Sequence, residues 1–178
     1  IKAGTEQCDD GNNGNNDGLF TGYFEITLNG SRQRTGAYQT PLHKRPPEPG
    51  RHTRAEIEDG ALAGKGLELL WVDDPIDAFF LEIQGSGRIQ LPDGKMLHVG
   101  YADQNGHPYV AIGRTLVDSG AMKLEEATMP AIRDWLKANP EKAQAVLNSN
   151  PSYVFFTLRE PDNSGPIGAL SLPLQQER

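Results

Sequence analysis

The sequence predicts a mainly β fold, a small β-barrel that carries three short helices. Three observations lead there. Aromatic and β-branched runs recur along the chain. Each is short and closed by Gly, Pro, Asn or Asp, a spacing that points to a barrel. Helical periodicity is confined to residues 109–148.

Taken in order, residues 1–18 come first. "CDDGNNGNNDG" has almost nothing to bury and reads as a tail or linker. Its Asp/Asn spacing faintly resembles a calcium loop, but the glycine is misplaced and no bidentate glutamate follows. From Leu19, "LFTGYFEITL" alternates as a strand. Phe20, Phe24, Ile26 and Leu28 share one face, and Thr21, Tyr23, Glu25 and Thr27 the other. "SRQRTGAYQTPLHKRPPEPGRHTR" is mostly loop because of its prolines and glycines, with a short strand near Tyr38–Leu42. "GLELLWVDD" and "DAFFLEIQ" read as strands. "GRIQL" and "MLHVGYA" flank a Pro92-Asp93-Gly94 turn, and "YVFFTL" is the last strand.

The helices have their own signals. Ile112 and Leu116 precede Ser119-Gly120, which places Gly120 just past a helix end. Thr128 is the N-cap of a second helix, with Pro130 in the first turn and Ile132, Trp135 and Leu136 at i, i+3, i+4. Asn139-Pro140 opens a third, with Ala143, Val146 and Leu147 on one face. Asn150-Pro151 marks a boundary, because the residue before proline avoids the α region.

Composition narrows the function. A chain of 178 residues suits one or two domains, and its net charge of −7 argues against nucleic acid as a partner. The single cysteine, Cys8, has no internal partner and no apolar run before it, so neither a disulfide nor a lipid-modified cysteine is expected. No Cys/His cluster has metal spacing, so no metal site is expected. No apolar run approaches the ~20 residues of a membrane helix. The chain begins at Ile1 without a signal peptide, as expected of a processed or excised piece.

Three polar turns are candidate binding elements. Gln84-Gly85-Ser86-Gly87 lacks the lysine of a phosphate loop and is expected to join strand to strand, which excludes a nucleophile elbow for Ser86. Its glycines let backbone approach a ligand, and Gln84 and Ser86 offer donors and acceptors suited to a neutral, polar molecule such as a sugar. A bulged β-corner without a ligand explains the stretch equally well. Asn105-Gly106, beside Gln104 and Tyr109, is a second turn, and plain turn chemistry explains it too. Thr21, Gly22, Tyr23 and Glu25 form the third polar face, with Glu25 either a candidate acid or, as is usual for an exposed strand carboxylate, simply solvated. Asp73, Asp74 and Asp77 read as turn initiation rather than catalysis. Arg32, Arg34, Lys44, Arg45, Arg51 and Arg54, with His43 and His52, face Glu48 alone in one loop-rich stretch. That is either a basic patch for an anionic polymer or a solvated loop.

Five segments carry a resemblance. "FTGYFEITLNGSR", "PLHKRP", "DDPIDAFFLEIQGSGRIQLPDG", "VGYADQNGHPYVAIGR" and "NPSYVFF" occur in the order found in the membrane-bound lytic murein transglycosylase A (MltA) family. The similarity runs from about Leu19 to about Glu160 and resembles that family's insert domain. The resemblance implies domain boundaries: a tail over 1–18, an insert β-barrel over 19–160 with 19–30 shared between it and a flanking double-psi β-barrel, and the start of the flanking segment over 161–178.

It also implies a function. Such enzymes cleave the β-1,4 bond between N-acetylmuramic acid and N-acetylglucosamine in peptidoglycan and leave a 1,6-anhydro end, without metal or other cofactor. One carboxyl group serves as acid and then as base. The family's catalytic aspartate belongs to a later Asp-Thr-Gly segment, which these residues do not contain. The resemblance therefore assigns no catalytic residue here. It assigns one wall of the glycan groove: Thr21, Gly22, Tyr23, Glu25, Gln84, Gly85, Ser86, Gly87, Asn105, Gly106 and Tyr109. Peptidoglycan glycan strands are the implied partner, and a periplasmic, outer-membrane-associated monomer the implied state, with attachment through segments outside this chain. A non-catalytic glycan-binding or protein-docking module is the alternative.

Overall fold

The computed structural model describes residues 26–159. The expected tail, the polar face at Thr21, Gly22, Tyr23 and Glu25, and the segment 161–178 lie outside them.

Six strands form one mixed sheet: β1 (Thr27–Ser31), β2 (Thr40–His43), β3 (Glu68–Val72), β4 (Ser86–Gln90), β5 (Met96–Gln104) and β6 (Val154–Arg159). Their order is β2-β3-β1-β4-β5-β6. Only β1 and β4 run parallel, with Leu28 opposite Ile89. The other neighbours are antiparallel. Pro41 is tolerated because β2 is an edge strand, where a missing N–H costs no central ladder bond. The Leu91–Gly94 turn joins β4 to β5, with Gly94 N–H donating to the Leu91 carbonyl at 2.9 Å.

The expected barrel is not what forms. Among the described residues the sheet is not closed: β2 and β6 are its edges, and near them His43 Nδ1 and the Tyr153 hydroxyl lie 2.8 Å apart. The segment read as the strand "DAFFLEIQ" is a helix, α2 (Pro75–Gln84). Asp74 caps it, accepting from Ile76 N at 2.8 Å and Asp77 N at 3.3 Å. Pro75 occupies N1, and Gly85 ends it in the left-handed region. Asp74-Pro75 is thus a helix start rather than a plain turn. Ile76, Ala78, Phe79, Phe80, Leu81 and Glu82 are all buried, so the helix is covered nearly all round. Such a helix shows no clear polar face, and periodicity alone does not separate it from a buried strand. Each fully buried Phe or Leu contributes about 1.5–3 kcal/mol, and α2 supplies Phe79, Phe80 and Leu81 to a core that also holds Leu70, Val72, Ile89, Val99 and Phe156.

Helices are also less confined than expected. A short helix α1 (Arg54–Glu56) runs into one π-type turn over Ile57–Ala61. Thr53 and Glu56 cap α1 reciprocally, each side chain meeting the other's backbone N–H. The three expected helices are present as α3 (Ile112–Asp118), α4 (Met129–Ala138) and α5 (Pro140–Asn148). Thr128 accepts from Ala131 N, and Gly120 follows α3 with φ of 73°. Asn139 departs from its expected role. Its side chain donates to the Trp135 carbonyl at 2.8 Å, closing α4 rather than capping α5.

Candidate functional site

The turn Gln84-Gly85-Ser86-Gly87 joins a helix to a strand, not two strands. Gln84 is the last residue of α2. Gly85 takes φ 75° and ψ −6°, and its N–H reaches the Leu81 carbonyl at 2.8 Å. Ser86 then begins β4. Gly87 has a packing reason. A Cβ there would lie 2.6 Å from Leu81 Cδ1 and 2.7 Å from the Ile26 carbonyl oxygen. The close approach expected of these glycines is, at Gly87, an approach to α2 and the start of β1.

Gln84, Gly85 and Ser86 open onto a cleft of about 390 Å³. Tyr109 lines the same cleft, as do Tyr101 and Gln104 from β5, Asn150, Ser152 and Val154 from the entry to β6, and Arg159 from its far end. Tyr101 and Tyr109 are the exposed aromatics of the site, at 46% and 54%. A tyrosine ring open to solvent beside hydrogen-bonding groups offers both a flat apolar face and a polar tip.

The cleft floor is a buried ion pair. Arg54 is 2% and Glu82 6% exposed. Arg54 Nη2 donates to Glu82 Oε2 at 2.6 Å and Nη1 to Oε1 at 3.3 Å. The guanidinium also donates twice to the Ser152 carbonyl, at 2.8 and 3.1 Å, and lies against the Phe79 and Tyr153 rings. Val154 N–H completes the Glu82 shell at 3.0 Å. Burial pushes the Glu82 carboxyl above its ordinary range, while Arg54 pulls it back. Burial alone would lower the Arg54 pKa, but the Glu82 carboxylate raises it, so the guanidinium stays charged. Together they tie α1, α2 and the start of β6.

Asn105 belongs to the frame behind the cleft. It is 1% exposed. Its Nδ2 donates to the His52 and Pro151 carbonyls at 3.0 and 2.9 Å, and its Oδ1 accepts from Tyr153 N at 2.9 Å and His107 N at 3.4 Å. All its hydrogen-bonding capacity is thereby used. Gly106, with φ of 72°, turns the chain out of β5 and does not line the cleft.

The basic run does not form one patch. Arg54 and His43 are buried, Arg45 pairs with Asp103 at 2.5 Å, and Arg51 with Glu48 at 3.6 Å. Arg34 bonds Gln39 and lies over Trp71. The aspartates near α2 are structural: Asp74 caps and meets Lys137, Asp77 binds Arg133, and Asp73 accepts from Asn29. Among the described residues no group of three or more His, Cys, Asp or Glu is placed to hold a metal, and no helix is long and apolar enough to cross a membrane.

A family model described as the MltA specific insert domain matches residues 19–157. The chain belongs to the MltA family. Membrane-bound lytic murein transglycosylase A of Escherichia coli strain K12 is 40% identical over 159 residues, which cover 87% of this chain and 42% of that protein. Among solved structures, E. coli MltA with bound chitohexaose has a TM-score of 0.79 at 37% identity, covering 86% of this chain and 46% of that one. The lytic transglycosylase LtgG of Burkholderia pseudomallei has a TM-score of 0.73 at 46% identity, covering 88% and 48%. The chain thus spans under half the length of these MltA relatives.

The match to the MltA model covers β1 to β5, most of β6, α2 and the cleft residues other than Arg159. Several cleft residues escaped the sequence reading. Asn150 stood only as a helix boundary, Arg54 as one charge in a basic run and Tyr101 as a strand position, while Ser152 and Arg159 had no role. Nothing local marks them, because the cleft exists only once β5, β6 and α2 are assembled.

Proposed function

We propose that this chain is the glycan-binding part of a lytic murein transglycosylase. The whole enzyme cleaves the β-1,4 bond between N-acetylmuramic acid and N-acetylglucosamine in the bacterial envelope. A carboxylic acid protonates the leaving oxygen. The resulting carboxylate takes the proton of the muramoyl C6 hydroxyl as that oxygen closes on the anomeric carbon, giving a 1,6-anhydro end.

The observation that carries this reading is the cleft. It combines two exposed tyrosines with Gln84, Ser86 and Gln104, a lining suited to sugar hydroxyls and ring faces. The chitohexaose bound by the E. coli relative supports a glycan ligand. The cleft's carboxylate, Glu82, is held by Arg54 and Val154 at the floor, which suits a binding wall better than a proton donor. The acid then comes from a segment outside these residues, and the chain forms one side of the groove.

The test is a titration of the 178-residue chain with soluble chito-oligosaccharides, followed by mass spectrometry of peptidoglycan incubated with it. Weak, millimolar binding without 1,6-anhydro product is expected, since half a groove offers fewer contacts. Anhydro product from this chain alone, lost in Glu25→Gln, would move the acid into it. Absence of binding at millimolar oligomer would favour a docking module instead.

A further inference from the structure

Arg159 stands apart from the other charges of the cleft. Its side chain crosses Gly100 on the neighbouring strand β5. A Cβ built on Gly100 would overlap Arg159 Nε, with Cζ 2.5 Å and Cδ 2.7 Å from the same point. In the β5–β6 register Gly100 faces Thr157, and on its other side it faces Ser86 of β4. The missing side chain at Gly100 therefore leaves a trough along which Arg159 lies, and from there it lines the cleft with Ser86, Tyr101 and Tyr109.

The carboxylates nearby are already engaged. Glu82 holds Arg54, and Asp103 binds Arg45. Arg159 makes no ion pair among the described residues. Among the described residues the cleft thus presents one guanidinium without an acid partner, in a chain of net charge −7. A purely neutral sugar has no group that matches a planar guanidinium as a carboxylate does.

We infer that Arg159 is a specificity-determining residue that reads a carboxylate substituent on the bound glycan, seated by the side-chain-free position at Gly100. This rests on the glycan reading of the cleft. Two sources carry that chemistry: the lactyl carboxylate of an unsubstituted muramic acid, and the carboxylates of a peptide attached to it. Gln84, Ser86 and the tyrosines hold the sugar, and Arg159 separates a charged glycan from a neutral one of equal length.

The experiment compares three ligands of matched length on the intact chain: neutral chito-oligosaccharide, peptide-free muramoyl glycan with free lactyl carboxylates, and peptide-bearing glycan. Wild type should bind a carboxylate-bearing ligand about three- to tenfold more tightly than the neutral one, a modest factor because the site is open to solvent. Added salt should shrink the advantage. Arg159→Gln should abolish it, with a smaller loss for the neutral chito-oligosaccharide than for the charged ligands, while Arg159→Lys retains part of the advantage. Gly100→Val, which displaces the Arg159 side chain without removing its charge, should lower the advantage as well. Whichever charged ligand shows the effect identifies the source. Equal wild-type binding of all three ligands overturns the role of Arg159 while leaving the glycan reading intact. So does a loss in Arg159→Gln that is the same for neutral and charged oligomers. Binding of none of them overturns both.

Discussion

Removing Glu82 alone should cost far more than its share of contacts implies. In Glu82→Ala the Arg54 guanidinium, 2% exposed, loses its bidentate partner, and Val154 N–H loses its acceptor. Arg54 keeps the Ser152 carbonyl and the Glu58 carboxylate at 3.6 Å, a longer and more solvated partner that offsets its charge only in part. Breaking a buried pair from one side costs about 3–5 kcal/mol, because the remaining ion has given up its hydration. The total stability of a domain is only about 5–15 kcal/mol, so the loss is a large fraction. Glu82→Gln also removes the negative charge but keeps the shape and one acceptor, so it should cost less than Glu82→Ala, by about 1.5–3 kcal/mol, the worth of a hydrogen bond to a charged group. The double variant Arg54→Met with Glu82→Leu removes both charges together. It should recover most of the loss, because well-packed apolar residues often replace a buried pair at little cost. Urea denaturation of the four proteins gives the values directly. A single Glu82→Ala loss below about 1 kcal/mol, or a double variant no better than the single, would refute the claim that an uncompensated charge dominates.

Other outcomes follow from the same geometry. His43 is buried against Tyr153 and opposite Glu68 in the β2–β3 register; burial lowers its pKa to about 4, with Glu68 opposing. Between about pH 6.5 and that value the unfolded chain binds the proton and the folded one does not. Stability should therefore fall as pH drops through this window, by roughly 3 kcal/mol from His43, and His43→Gln should flatten the slope in pH-dependent urea melts. An unchanged slope would show that other groups set it. Gly85→Ala forces a side chain into the left-handed region and should cost about 1 kcal/mol by thermal melting. Gly87→Ala should cost about 1–3 kcal/mol, because backbone at Ile26 does not yield to the new Cβ; a neutral Gly87→Ala would mean that β1 shifts freely. Tyr109→Ala should weaken chito-oligosaccharide binding by about five- to tenfold with no change in melting temperature, and loss of both would reassign Tyr109 to packing.

Several features were legible in the sequence because their causes are local. Thr128 and Gly120 act through their own backbone neighbours, so α4 starts and α3 ends where the residue types demand. The Pro92-Asp93-Gly94 turn and the aliphatic and aromatic residues of β3, β5 and β6 likewise need only nearest-neighbour chemistry. The Gln84-Gly85-Ser86-Gly87 stretch was identifiable as a break between two elements, because paired glycines interrupt regular structure. Its setting was not. Whether "DAFFLEIQ" is strand or helix depended on its burial on nearly every side, which removes the polar face that periodicity needs. Asp74 and Gly85 were the local signs that went unread.

The cleft itself was decided by tertiary structure alone. Asn105 looked like a ligand group in a polar turn, yet folding surrounds it with the His52, Pro151, Tyr153 and His107 backbone and uses up its bonding capacity. Arg54 looked like one of a run of surface cations, yet folding buries it and assigns it to Glu82, 28 positions away in the chain. A polar side chain is equally compatible with a ligand, with solvent or with a distant backbone carbonyl, and only the assembled surroundings decide which one it meets. Caps, turns and strand propensities were determined by the sequence through short-range sterics and hydrogen bonds. The open sheet, the buried ion pair and the convergence of Gln84, Ser86, Tyr101, Tyr109 and Arg159 were decided by long-range packing, where desolvation ties together residues whose spacing along the chain carries no trace of their contact.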